Sequence, residues 1–155
     1  MNEKQDLLRH TLATLAYRAN RALEGSSGGF GSFAGAGRQP VEILAHMGDL
    51  MDWALSIVNG KQRWQNSAPL AWVEEQKRFF AALTALDQRL AAAEPSAASE
   101  EKLFQGAIAD ALTHVGQIAM LRRLAGEPAK GENFYVAEIV VGRTGAEQPQ
   151  AKKTF

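Results

Sequence analysis

The chain has 155 residues, no cysteine, and 17 basic against 17 acidic residues, which gives a formal net charge of zero. This length predicts one domain, and the absence of cysteine excludes disulfides, thiolate metal ligands and a cysteine nucleophile. Zero net charge argues against a strongly basic nucleic-acid surface but leaves room for a local basic patch. The N-terminus has no apolar core of a signal peptide, and no stretch approaches the roughly 18 apolar residues of a membrane helix. We therefore expect a cytoplasmic protein that binds neither nucleic acid nor membrane.

Two helices are predicted in the first part of the chain. Leucine and alanine recur at helical spacing over residues 3–24, and a glycine follows the last of them. Residues 25–39 contain six glycines and no helical pattern, which predicts a loop. The second helix begins near Pro40, because proline suits a first turn whose N–H has no partner within the helix. It ends before Asn59.

Two more helices are predicted in the second part. The third begins after Ser67 as N-cap, with Pro69 in its first turn, and fades toward Pro95. The fourth begins after Ser99, with two glutamates near the positive end of the helix dipole, and closes at Gly126. Four amphipathic helices of this length predict an all-α four-helix bundle.

The C-terminal residues lack a helical pattern. Residues 134–142 have the composition of a strand but no partner strand, which predicts a short extended segment lying on the bundle or on another subunit. Residues 143–155 are polar, and we expect a loosely ordered tail there. The predicted division is a bundle domain over residues 1–142 and a tail over residues 143–155.

Two of the three histidines fall on the inner side of predicted helices. His46 lies in the apolar sector of the second helix, where a buried imidazole needs a hydrogen-bond partner or a metal, because an unpaired buried polar group costs a few kcal/mol. A helical wheel centred on Phe104 places the fourth helix's Asp110, His114 and Gln117 beside its apolar face. The fourth helix therefore presents a polar trio next to its buried side.

These residues suit a divalent metal site. Asp110 and His114 are four residues apart, so their side chains can converge on one ion, and bundle cores often hold metals between facing helices. With His46 they offer two imidazoles and one carboxylate, which suit Zn, Ni, Fe or Mn with coordination positions left open. Gln117 would orient one of the metal ligands by a hydrogen bond, without itself binding the metal. The alternative is a core His46 bonded to a carbonyl or to Asp49.

The remaining motifs are interpreted as structural. Three tryptophans lie in or next to the connection between the second and third helices, and we interpret them as packing residues: Trp53, Trp64 and Trp72. His10 lies opposite the leucine stripe of the first helix and is expected at the surface. Arg122 and Arg123 complement the negative end of the fourth helix. The glycine-rich loop lacks the phosphate-loop pattern GxxxxGK[ST], so no nucleotide cofactor site is predicted.

The segments VEILAHMGDLMDWAL at residues 41–55 and DALTHVGQIAMLRRLAG at residues 110–126 resemble the DinB/YfiT-like family of metalloenzymes. The second segment contains the family's HxGQ signature, and the order of four helices with a long first loop also fits. The resemblance implies a divalent metal held by His46 from the second helix and His114 from the last. Asp110 stands where the family has its middle histidine.

The resemblance also implies a function. It predicts a metal-dependent enzyme of unassigned substrate and catalytic residues, either a hydrolase or a transferase that uses a low-molecular-weight thiol, and a homodimer. The metal would lower the pKa of the thiol, which must come from a cosubstrate because the chain has no cysteine. Asp110 leaves an alternative open, a non-catalytic ligand-binding or stress-response bundle with a vestigial metal site. Glu42 or Asp49 would compensate for the missing histidine.

Overall fold

Four helices form the fold of the computed structural model, which describes residues 2–35 and 37–155. The first three are α1 Glu3–Leu23, α2 Pro40–Val58 and α3 Trp72–Ala91. The fourth, α4, begins as Glu100–Leu103, passes through a π-helical turn at Phe104–Ile108 and continues as Ala109–Leu124. The described residues contain no β-strand, only an isolated antiparallel bridge between Glu132 and Thr154. The predicted all-α four-helix bundle is confirmed.

One apolar core lies between the helices. In the described part of the chain, α2 packs most extensively against α3, and α1 packs against α4 and α3. The largest fully buried side chains come from every helix and from the loop after α1, among them Tyr17, Phe30, Met47, Phe79 and Ile118. His10 is exposed on the outer side of α1, as predicted. None of the described helices is long and apolar enough to cross a membrane.

The start of α3 differs from the prediction. The sequence predicts Ser67 as its N-cap, but the Ser67 hydroxyl and backbone N–H both donate to the Asp49 carboxylate of α2, at 2.6 and 2.8 Å. The chain therefore stays extended along α2 at this point. The helix begins only at Trp72, where the Glu75 carboxylate accepts the Leu70 N–H at 2.8 Å.

A buried charge cluster joins α2 to α3. Asp49 and Glu75 are 3% and 0% exposed, and the Arg78 guanidinium donates to both carboxylates. Arg78 also donates to Asp52 and to the Ala45 carbonyl, each at 3.0 Å. Burial alone would raise the pKa of Asp49, but hydrogen bonds from Ser67 and Arg78 lower it below its ordinary value.

The π-helical turn shifts the phase of α4. The wheel centred on Phe104 predicts a buried phenyl ring, but Phe104 is 43% exposed, whereas Leu103, Ala107 and Ile108 are buried. A π turn takes more residues than an α turn, so side chains before and after it do not share one α-helical stripe. The turn ends immediately before the segment that carries Asp110.

The C-terminal residues pack on the bundle. The buried Glu132 carboxylate accepts from the Tyr17 hydroxyl at 2.5 Å and the Arg21 guanidinium at 2.6 Å, both on α1. Further along, the buried Thr144 hydroxyl lies 2.8 Å from that of Thr84 on α3. The Ala146 carbonyl also accepts from the Asn20 side chain of α1 at 2.6 Å, so the expected loosely ordered tail is replaced by a segment bonded to α1 and α3. The predicted division at residue 142 stays a prediction.

Thr144→Val is expected to lower the free energy of unfolding by about 1 kcal/mol, because the Thr84 hydroxyl loses its partner in a partly desolvated site. Urea unfolding measures the change, and Thr84→Val in the same chain should recover part of the loss. Thr113→Val is the control, since the exposed Thr113 hydroxyl bonds only to the carbonyl of its own helix. Equal effects of Thr144→Val and Thr113→Val would contradict docking of the C-terminal segment.

Candidate metal centre

His46 of α2 faces Asp110 and His114 of α4. Asp110 Oδ1 lies 3.3 Å from His114 Nε2, and Asp110 Oδ2 lies 3.6 Å from His46 Nε2. The two imidazole rings meet edge to face, with their centroids 4.8 Å apart. One donor atom from each of the three residues lies within 4.8 Å of the others. The structure therefore brings together the three ligands predicted from helical spacing, and the group could hold a metal ion.

The separations are compatible with a shared cation. A good N–H···O hydrogen bond joins its heavy atoms at about 2.7–3.2 Å. Two ligand atoms on one tetrahedral zinc ion, with bonds of about 2.1 Å, lie about 3.4 Å apart. The two carboxylate–imidazole distances, 3.3 Å from Oδ1 and 3.6 Å from Oδ2, lie on either side of that value, each imidazole facing a different oxygen of Asp110. The donor set of two imidazoles and one carboxylate suits a divalent metal.

Gln117 determines which nitrogen of His114 faces Asp110. Its Oε1 atom lies 2.7 Å from His114 Nδ1. With the amide in this orientation Nδ1 must donate, so the Nε2 atom of a neutral ring carries a lone pair. A lone pair and a carboxylate oxygen repel each other unless a proton or a cation lies between them. A metal ion between them would bind the Nε2 lone pair and the carboxylate oxygen. Gln117 would then fix the tautomer in which His114 binds the metal.

The ligands are accessible from one side. The side chains of His46, Asp110 and His114 are 24%, 45% and 11% exposed. Burial lowers the pKa of His46, and the neighbouring His114 lowers it further, against the opposing effect of Asp110. His46 is therefore neutral at pH 7, the form that binds metal. Partial exposure leaves space for water or substrate beside a bound ion.

Aromatic side chains cover His46. The Trp64 ring lies edge-on to the imidazole with centroids 5.6 Å apart, and Trp53 lies 6.0 Å from Trp64. Trp72 is a packing residue of the core, as predicted, with its ring 5.6 Å from that of Phe30. Sequence reasoning missed Trp64 as a site residue because it belongs to the aperiodic connection between α2 and α3. Trp64 is assigned to the site only because the fold brings its ring close to the His46 imidazole.

Two acidic residues considered as substitute ligands are engaged elsewhere. The Glu42 carboxylate accepts the Gln39 N–H at 2.7 Å and so caps α2. Asp49 is held by Ser67 and Arg78 in the buried charge cluster. The predicted compensation for the missing histidine is therefore not formed. The alternative pairing of the second-helix histidine with Asp49 is likewise not formed, because that imidazole faces α4.

An open groove of about 540 Å³ lies next to Gln117 on α4. It shares Gln117 with the site, and its other walls include Arg38, Ile43 and Met120. Sites for small molecules have volumes of about 300–1,000 Å³ and combine apolar walls with a few polar groups. The groove could therefore hold a small molecule next to Gln117, although none of the three candidate ligands lines it.

No family model, curated protein or solved structure matches this chain. The resemblance of residues 41–55 and 110–126 to the DinB/YfiT-like family accordingly stays a prediction from the sequence. That the site could hold a metal ion rests on the grouping and exposure of His46, Asp110 and His114.

Proposed function

We propose that this protein is a DinB-like metalloenzyme in which His46, Asp110 and His114 hold one divalent ion. One observation carries the proposal: the Asp110 carboxylate faces the Nε2 atoms of both imidazoles at separations typical of ligands on a common ion. Zinc, nickel, iron and manganese all accept this nitrogen and oxygen donor set. As part of this proposal, we expect the protein to be cytoplasmic and to form a homodimer.

The proposed chemistry is thiol-dependent group transfer or hydrolysis. Three protein ligands leave coordination positions open, as in catalytic rather than structural metal sites. A bound ion would lower the pKa of a thiol or a water molecule, and so supply a nucleophile at neutral pH. Gln117 keeps Nε2 of His114 directed at the ion, and Trp64 limits the access of water to His46. The adjoining groove would bind the substrate.

Activity is tested on protein loaded separately with Zn, Ni, Mn or Fe(II). One assay supplies glutathione with a chloronitrobenzene electrophile, and the other supplies an activated ester. We expect turnover in one assay that is lost in His114→Ala treated in the same way. Equal rates for wild type and variant would contradict the assignment of the site. Metal bound at the site without turnover in either assay would contradict catalysis and favour a non-catalytic metal-binding bundle.

Gln117→Leu is expected to weaken zinc binding by about 10–100-fold, because His114 loses the acceptor that fixes its tautomer. Competition with a chromophoric chelator measures the affinity. Gln117→Glu keeps an acceptor at the same position and should retain most of it. Gln105→Leu, an exposed change on the preceding part of α4, is the matched control. Zinc affinity unchanged in Gln117→Leu would show that Gln117 does not position the ligand.

A further inference from the structure

A second pocket lies on another side of α4, between α1 and the residues that follow α4. Its volume is about 400 Å³. Four cationic side chains line it, namely Arg18, Arg21, Arg123 and Lys130. Much of the remaining surface is apolar and includes Leu112, Val115 and Phe134. The three candidate metal ligands are not among its lining residues, and it shares only Gly116 with the groove next to Gln117.

Most of the positive charge in this pocket is uncompensated. Arg21 is paired, because it donates to the buried Glu132 carboxylate at 2.6 Å. Over residues 2–35 and 37–155, no carboxylate lies within ion-pair distance of Arg18, Arg123 or Lys130. Glu132 already accepts from Arg21 and from a tyrosine of α1. Three cations therefore face the pocket without a partner of opposite charge.

Arg18 is the most constrained of these cations. Its guanidinium lies 3.7 Å from the centroid of the Phe134 ring, which holds it by a cation–π contact. Burial lowers the pKa of Arg18, since its charged form loses water, and nearby Glu132 only partly opposes this. Its N–H groups make no hydrogen bond within the described residues. A stacked guanidinium keeps its donors at its edges, where a phosphate or carboxylate can accept two of them at once.

We propose that this pocket binds a small phosphate monoester with an apolar body. A phosphate dianion matches three unpaired cations better than a single carboxylate does, because it carries more charge and accepts more hydrogen bonds. The apolar wall would cover the organic part of the ligand, and the volume is that of a small-molecule site. The bound anion would also offset the cost of keeping Arg18 charged away from water.

The test uses phenyl phosphate as the probe and isothermal titration calorimetry as the measurement. Arg123→Gln combined with Lys130→Gln removes two exposed cations, so the fold should be retained, which the thermal midpoint verifies. Phenyl phosphate should bind this double variant about tenfold more weakly or worse. Lys61→Gln combined with Lys102→Gln changes the net charge equally outside the pocket, and should leave binding unchanged.

Two further experiments identify the class of ligand and the location of its binding site on the protein. Inorganic phosphate and benzoate should each bind more weakly than phenyl phosphate, since each lacks one half of the proposed ligand. Amide shifts in a titration followed by NMR should centre on Val115, Gly131 and Phe134. No binding of phenyl phosphate at millimolar concentration, equal loss in both double variants, or shifts centred on His46 would overturn the proposal. Equal affinity for inorganic phosphate would overturn the organic ligand.

Discussion

Replacing Arg78 with methionine is expected to lower the free energy of unfolding by about 3–5 kcal/mol. Arg78 is the shared cation of the buried charge cluster between α2 and α3, where Asp49 and Glu75 are almost completely shielded from water. Methionine preserves much of the apolar stem but leaves two desolvated carboxylates without their partner. It also removes the side-chain hydrogen bond that the Ala45 carbonyl of α2 accepts.

Urea unfolding of Arg78→Met and of Lys77→Met separates the buried pairs from ordinary surface charge. Lys77 is the preceding residue of α3, and its ammonium pairs with Glu74 at the surface, where both side chains are largely exposed. Its replacement should cost at most about 0.5 kcal/mol. If Arg78→Met lost no more stability than Lys77→Met, the buried cluster would not hold α2 to α3.

The stability difference between wild type and Arg78→Met should depend on pH. The pKa of Asp49 is lowered in the folded protein, so its contribution is present above its unfolded pKa and is lost as pH falls through the folded value. In Arg78→Met the buried Asp49 carboxylate can be protonated more readily, because one of the hydrogen bonds that lower its pKa is lost. The difference should therefore be full at neutral pH and shrink below about pH 4. A difference independent of pH would show that lost packing, rather than charge, causes the destabilisation.

His114→Ala is expected to weaken zinc binding by about 100-fold or more, because it removes one of three protein ligands and leaves the Asp110 carboxylate facing one imidazole. His46→Ala should have an effect of the same order. Titration of zinc against a chromophoric chelator measures both. Neither substitution should unfold the protein, since neither imidazole belongs to the apolar core, and circular dichroism verifies this.

His10→Ala is the matched control for both ligand variants. It removes an exposed imidazole from the outer side of α1, and zinc affinity should not change. If all three histidine variants bound zinc equally well, zinc would not be held by the proposed ligands. If only one ligand variant lost affinity, the ion would be held without a bridge between α2 and α4.

The helices could be predicted because the signals for them are local. Apolar periodicity and Pro40 placed α2 at its observed start, and the same periodicity gave α1. The start of α3 could not be predicted in this way, because Ser67 bonds to Asp49, a residue of another helix. The exposed Phe104 was missed for a different reason, since a π turn breaks the regular spacing on which a helical wheel depends.

The grouping of the candidate metal ligands could be predicted from spacing, whereas their surroundings could not. Asp110 and His114 share one turn of α4, so their proximity follows from helical geometry alone. Trp64 and the cationic pocket depend on how aperiodic segments fold back on the helices. Lys130, for example, joins Arg18 only because the residues after α4 return along α1. The residues in such contacts are far apart in the sequence, and their contacts produce no periodic pattern in it.

The most direct test of the metal centre is elemental analysis of untagged protein after incubation with Zn, Ni, Mn or Fe(II) and removal of free metal by gel filtration. We predict one ion per chain for at least one of these metals, and none in a chain that carries both His46→Ala and His114→Ala. Wild-type protein that retains none of the four metals, or a double variant that retains as much as wild type, would contradict a metal centre at His46, Asp110 and His114.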